Sequence, residues 1–155
     1  MHLAQLNIGR LRYSASDPRV AGFMENLDRV NALAEAMPGF VWRLKDETNN
    51  ATKIDASGDF GPGVIVNMSV WKSAEELERF VWQTVHRRFY NKKAEWFHAL
   101  GDAHFVMWWV EEGHLPGLGE AAERLGMLRK HGSTDAAFGW DHLPDVKMWR
   151  TQRCA

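Results

Sequence analysis

One stretch, residues 64–98, gathers side chains that could act on a bound molecule. Asn67 interrupts the apolar run VIVNMSVW, Trp71 ends it, and His86 lies in the segment that follows. Amide and indole N–H groups are donors that stabilise an oxyanion as it forms on a substrate. Imidazole titrates near neutrality, so His86 has the chemistry of a general base or of an axial ligand to haem iron. Asn67 and Trp71 are four residues apart, which places both on one face of a strand. His86 is one helical turn from Trp82 and one from Tyr90. A structural alternative stands beside each reading: a hydrogen-bonded core Asn, a Trp packing at the sheet edge, and a His donating to a backbone carbonyl or a carboxylate.

Other polar residues carry weaker patterns. Glu95-x-x-His98 is half of a carboxylate-bridged di-metal motif, but the chain has no second copy. His114 follows a strand within GHLP, next to Glu111 and Glu112, where loop residues often reach a site, although ordinary turn chemistry accounts better for it. His2, His104, His131 and His142 form no pattern, and no metal site is expected. GDFGPG lacks the spacing and the strand-to-helix context of a phosphate loop. The single cysteine, Cys154, excludes an intramolecular disulfide and a cysteine metal cluster.

Alternation and helical periodicity supply the elements that must position these residues. Residues 2–8 read as a strand with Leu3, Gln5 and Asn7 on one face. Asp17-Pro18 caps a helix predicted to run to Met37, which Pro38-Gly39 ends. Residues 40–47 form a second strand, and residues 49–63 a long polar loop or hairpin connection, of a length at which some loops act as site lids. The third strand spans residues 64–71. Ser73-x-x-Glu76 is a capping box opening a helix that carries Leu77, Phe80, Val81, Trp82 and His86. A fourth strand covers residues 103–111, a third helix residues 118–131, and the remainder reads as irregular.

The order strand–helix–strand–strand–helix–strand is the ferredoxin-like βαββαβ unit of an α+β protein, with an added C-terminal helix and tail, in a single domain over residues 1–155. Both helices of such a unit pack on one sheet face. The other face would be apolar and bare, which is not tolerated alone in water. The expectation is therefore a homodimer joined through the sheet face, a dimeric α+β barrel.

Composition limits the partners. The chain has 155 residues, 45% hydrophobic, with 8 Trp against 2 Tyr, which suits a substantial core and an aromatic-lined pocket or interface. With 19 basic and 20 acidic residues the net charge is -1, so a nucleic-acid partner is not expected. No basic segment followed by an apolar run opens the chain, and no apolar run approaches membrane-spanning length. The expectation is a cytoplasmic protein with a small-molecule ligand.

The segments VNMSVWKSAEEL, HRRFYNKKAEWF, HFVMWWVEEGHLP and AAERLGMLRKHG…AAF resemble a bacterial family of unknown function, domain of unknown function 3291, over most of the chain. That family is similar to the antibiotic-biosynthesis monooxygenase group, whose fold is the dimeric α+β barrel. In cofactor-independent members of the group, an Asn on the third strand is followed four residues later by a Trp. The resemblance implies that Asn67 and Trp71 stabilise the oxyanion of a substrate carbanion that itself reduces dioxygen; His86, from its own chemistry, would serve as base. Those enzymes also carry a Tyr further into the helix, where this chain has Leu77. Haem-degrading enzymes of the same superfold resemble it in another way: Asn7, Trp82 and His86 match their residue types on the same elements, with a shorter Trp–His spacing. Three functions follow. The first is a monooxygenase-like enzyme needing no cofactor and acting on an apolar or aromatic metabolite, its pocket lined by Asn7, Trp82, Tyr90, Trp108, Trp109 and His114. The second is a haem protein with His86 at the iron. The third is a binding module without catalysis.

Overall fold

The computed structural model describes residues 1–85 and 92–151. Four strands, β1 (His2–Arg10), β2 (Phe40–Arg43), β3 (Val64–Trp71) and β4 (Phe105–Val110), form one sheet in the order β2-β3-β1-β4. Every pairing is antiparallel. This is the strand order of a ferredoxin-like unit, with β1 and β3 in the centre. The register pairs Leu3 with Trp71 and Trp109, Gln5 with Ser69 and Met107, and Asn7 with Asn67 and Phe105.

Helical segments connect β1 to β2. The expected helix from Pro18 to Met37 is broken into a 3-10 turn at Pro18–Val20, α1 (Ala21–Met24) and α2 (Leu27–Ala36). The break has a local cause. Asn26 Nδ2 donates to the Gly22 carbonyl at 2.7 Å, competing with the helical ladder. A Cβ on Gly22 would also stand 3.3 Å from the Trp96 ring, so the chain bends around that indole. After β3, Ser73 Oγ accepts from Glu76 N at 3.3 Å and opens α4 (Ala74–Arg79), as the capping box predicts. A π-helical segment, Phe80–Val85, continues it. Beyond residue 91 come α5 (Lys93–Trp96), α6 (Leu118–His131) and α7 (Met148–Thr151); α3 (Ser57–Phe60) lies in the long connection before β3.

The sheet separates two cores. On the helix face, Leu3, Trp71 and Met107 pack with Ala34 of α2 and Ala74 and Leu77 of α4. On the far face, Ala4, Leu6, Ile8, Val66, Met68, Val70, Val106, Trp108 and Val110 pack with Ala121 and Leu125 of α6 and with Ala56 beside α3.

This corrects the expectation of a bare face awaiting a second copy. The far face is apolar, as its alternation predicts, but α6 and the connection before β3 cover it within one chain. The connection is not an open lid. Asp46 accepts from the Thr48 and Lys53 amides at 2.7 and 2.9 Å, Asn50 from the Thr52 amide at 3.0 Å, and Asp55 from the Ser57 amide at 3.0 Å. These turns fold Ala51, Ala56 and Phe60 onto the far-face core.

The tail after α6 is also built in. Phe138 and Met107 exchange backbone hydrogen bonds of 2.8 and 2.9 Å, which closes part of the outer edge of β4. Ala137 and Phe138, both fully buried, enter the far-face and helix-face cores respectively. Further on, Val146 packs on the helix-face core, and the carboxylate of Glu78 accepts from the backbone N–H groups of Met148 and Lys147. Burial holds that carboxyl above its ordinary pKa despite these bonds. Among the described residues no helix is long and apolar enough to cross a membrane.

Candidate functional site

In a sheet covered by helices, side chains in the middle of the central strands should be buried on the helix face. Asn7 and Asn67 break that rule. They oppose each other on β1 and β3, share the helix face, and are both exposed. Among the described residues, their exposure marks an opening in the helical layer with two amides on its floor. Asn7 has no hydrogen-bond partner among the described residues, and neither has the Nδ2 group of Asn67.

The row beneath is polar but closed to water. Gln5 Nε2 donates to Asn67 Oδ1 and to Ser69 Oγ, both at 2.8 Å. The Trp71 indole N–H donates to the same Ser69 oxygen at 2.9 Å. Gln5, Ser69 and Trp71 are all buried. In the same row, opposite Ser69, stands Arg43, whose charge is balanced by Glu35 at 2.7 Å and whose Nη2 donates to Asn49 at 3.0 Å. The polar groups of the floor itself are uncharged amides.

Aromatic side chains flank this floor. Phe105 lies opposite Asn7 on β4 and stacks on Trp140, with centroids 5.5 Å apart and planes 13° apart. Trp82, in the π-helical segment, meets Trp140 edge-on at 6.3 Å. π-helical turns inside α-helices are frequent at functional sites, because the extra residue re-aims the side chains around it. Beyond Asn7 on the same face, Phe97 lies over Gly9, where a Cβ would come within 2.6 Å of the ring. Phe23 packs edge-on against Phe97 at 4.9 Å. Glycine is needed at position 9 because an aromatic ring occupies the space of its side chain.

The residues singled out from the sequence divide across the sheet. Asn7, Asn67, Trp71 and Trp109 are on the helix face, with Trp82 in the covering layer. Trp71 is fully buried with its N–H engaged, so it meets the opening only through Ser69, Gln5 and Asn67. Trp109 is 37% exposed, one row beyond Gln5 and against Phe138 at 6.0 Å. Trp108 and His114 are elsewhere. The indole of Trp108 is buried in the far-face core and donates to Glu120 at 2.9 Å, and His114 lies 2.7 Å from the other oxygen of the same carboxylate. Burial pushes the Glu120 carboxyl up, but the bonds from His114 and Trp108 outweigh it and leave the pKa below the ordinary value. This cluster seats the first turn of α6 on the sheet. Trp108 lines the far side because strand residues alternate, so the adjacent indoles 108 and 109 cannot share a pocket wall. His86 and Tyr90 lie outside the described residues, as does Cys154. Glu95 and His98 do not share a helix face: α5 ends at Trp96, and Phe97 is already extended.

Several residues of this site were not apparent in the sequence. Gln5 and Ser69 alternate with apolar neighbours and read as ordinary strand polarity. Phe105 was assigned to a strand, but nothing indicated that Trp140, in a tail without periodicity, would stack on it. Among the described residues no three His, Cys, Asp or Glu side chains gather to hold a metal ion. Burial and the neighbouring Lys93 charge hold His104 below its ordinary pKa, and Lys93 Nζ lies 3.1 Å from its Nε2; this pair precedes β4, and the His104 carbonyl is bonded to Ile8 N.

No curated protein matches the chain. Among solved structures, a protein of unknown function from Nitrosomonas europaea is similar at 14% identity, over 75% of this chain and 95% of that one, with a TM-score of 0.48. A candidate antibiotic biosynthesis monooxygenase from Chloroflexus aurantiacus J-10-fl is similar at 15% identity, over 76% and 100% of the two chains, with a TM-score of 0.41. The model of the family described as domain of unknown function, DUF3291, matches residues 2–154, and the chain belongs to that family.

Proposed function

We propose that this protein is a monooxygenase-like enzyme acting on a flat apolar or aromatic metabolite, bound at the opening over Asn7 and Asn67. The observation that carries the reading is the pair of exposed amides in mid-sheet, whose NH2 group at Asn67 and whole amide at Asn7 have no partner among the described residues, beside the Phe105–Trp140–Trp82 aromatic group. Aromatic surface takes the body of such a ligand, and a few placed polar groups fix its orientation. In this reading the substrate's carbonyl or phenol oxygen accepts from the Asn67 amide. When the substrate loses its acidic C–H or O–H proton to a base, assigned to His86, negative charge grows on that oxygen and the donor stabilises it. The electron-rich substrate then reduces dioxygen directly, with no cofactor.

Anthrone is a suitable probe: its enolate reacts with dioxygen to give anthraquinone and water. An oxygen electrode should record uptake above the buffer rate with the intact protein, falling by roughly tenfold or more in Asn67→Ala. Uptake equal in protein, variant and buffer contradicts catalysis. Anthrone binding without uptake favours the non-catalytic binding module. Self-association is part of the proposal, but it has to use a surface other than the far face, which α6 already covers. Light scattering giving the mass of a single chain would end the dimer reading.

A further inference from the structure

We infer that Gln5 and Ser69 are positioning residues that lock the Asn67 amide with its NH2 group toward the opening, so that the site selects ligands bearing an acceptor oxygen. As a statement about ligands, this rests on the site proposed above. An asparagine side chain on an exposed strand position can usually turn its amide over at little cost, presenting either oxygen or NH2. Here one side of the amide is held. The Trp71 indole can only donate, and it gives its proton to Ser69 Oγ at 2.9 Å. Gln5 Nε2 spends one hydrogen on that same oxygen and the other on Asn67 Oδ1, each at 2.8 Å.

In this arrangement Ser69 Oγ accepts from both Trp71 and Gln5, and Asn67 Oδ1 takes the second Gln5 hydrogen. Asn67 Oδ1 is turned inward to Gln5, and Nδ2 is left for a ligand. Gln5 is 5%, Ser69 7% and Trp71 0% exposed, so water does not compete for the two bonds to Ser69, while the Gln5–Asn67 bond is partly buried. Breaking one strands a buried polar group, which is costlier than losing the bond itself. Inverting the network would require the Ser69 hydroxyl and the Gln5 and Asn67 amides to turn together within a mostly buried row. A phenolate, enolate or ketone oxygen is matched to this floor, whereas a ligand whose only polar group is a donor meets another donor.

The test has two arms, on the full chain. The first needs no ligand. In side-chain amide NMR spectra, Gln5 NH2 should exchange slowly with solvent and Asn67 NH2 fast. Gln5→Glu, which at neutral pH can only accept, should reverse the polarity and protect the Asn67 NH2. A wild-type protein with a protected Asn67 NH2 and a fast-exchanging Gln5 NH2 overturns the inference. The second arm uses 2-acetonaphthone, a neutral aromatic ketone with an acceptor and no donor. Its affinity should fall about tenfold in Gln5→Glu and in Ser69→Ala, and return in Ser69→Thr, which keeps the hydroxyl. Ser69→Ala also serves if the buried glutamate prevents folding. Equal affinity in Ser69→Ala and wild type overturns the positioning role. Absence of 2-acetonaphthone binding by wild type, with the amide pattern as expected, sinks the proposed site while the locked amide stands.

Discussion

Asn7 and Asn67 are register partners on the two central strands, and both are exposed on the face that the helices are meant to cover. The two differ in what lies behind them. Asn67 is bonded to the buried Gln5, whereas Asn7 is opposite Phe105 and has no hydrogen-bond partner among the described residues. Asn7→Ala should therefore change stability by no more than about 0.5 kcal/mol. Asn67→Ala should cost about 1 kcal/mol, because it leaves one hydrogen of buried Gln5 unpaired. Urea denaturation of both variants checks the order; a more damaging Asn7→Ala contradicts it.

Trp108 gives the opposite separation. Replacing it with phenylalanine removes the indole N–H that reaches Glu120 inside the far-face core. A loss of about 1–3 kcal/mol is expected, with anthrone-dependent oxygen uptake per folded molecule unchanged. A selective loss of uptake, at unaltered stability, would move the site to the far face.

The fold order was largely legible in the sequence because both cores are written in alternation. Leu3, Gln5 and Asn7 do share a face, Ser73 does cap α4, and Asp17 does accept from the Arg19 amide, at 2.9 Å. What was not legible depends on contacts distant in the chain. The far face looked bare because the apolar side of the third helix, with Leu125, is periodic but does not reveal which surface it packs on, and Ala56 lies in a polar connection. Trp140 reads as a loop aromatic until Phe105 is placed beneath it. Gln5 differs from a solvent-facing strand amide only through its neighbours Ser69 and Trp71, 64 and 66 positions further on.

Acid should weaken the seat of α6. The folded-state pKa of Glu120 is depressed, so its contribution to stability is fully present above the ordinary carboxylate range and is lost as pH falls through the lowered folded value. His114→Ala removes one of the bonds responsible. The variant should be less stable than wild type near neutral pH, and the difference should shrink in acid once Glu120 is protonated in folded and unfolded chains alike. Thermal melts across that range measure it; a gap that widens on acidification contradicts the assignment.

Gly9→Ala tests the aromatic end of the opening. The added Cβ would sit 2.6 Å from Phe97 Cδ1, so the ring must move away from β1. Overpacking of this kind costs about 1–3 kcal/mol. The double variant Gly9→Ala with Phe97→Leu should recover part of the loss, and a cycle showing strict additivity would mean the two positions do not meet.

The central claim is the location of the ligand site, and NMR titration with 2-acetonaphthone tests it most directly. The side-chain amide signals of Asn7 and Asn67 should shift together and saturate, while the indole N–H of Trp108, on the other side of the sheet, stays in place. Saturable shifts at Trp108 with none at the two asparagines would contradict the account.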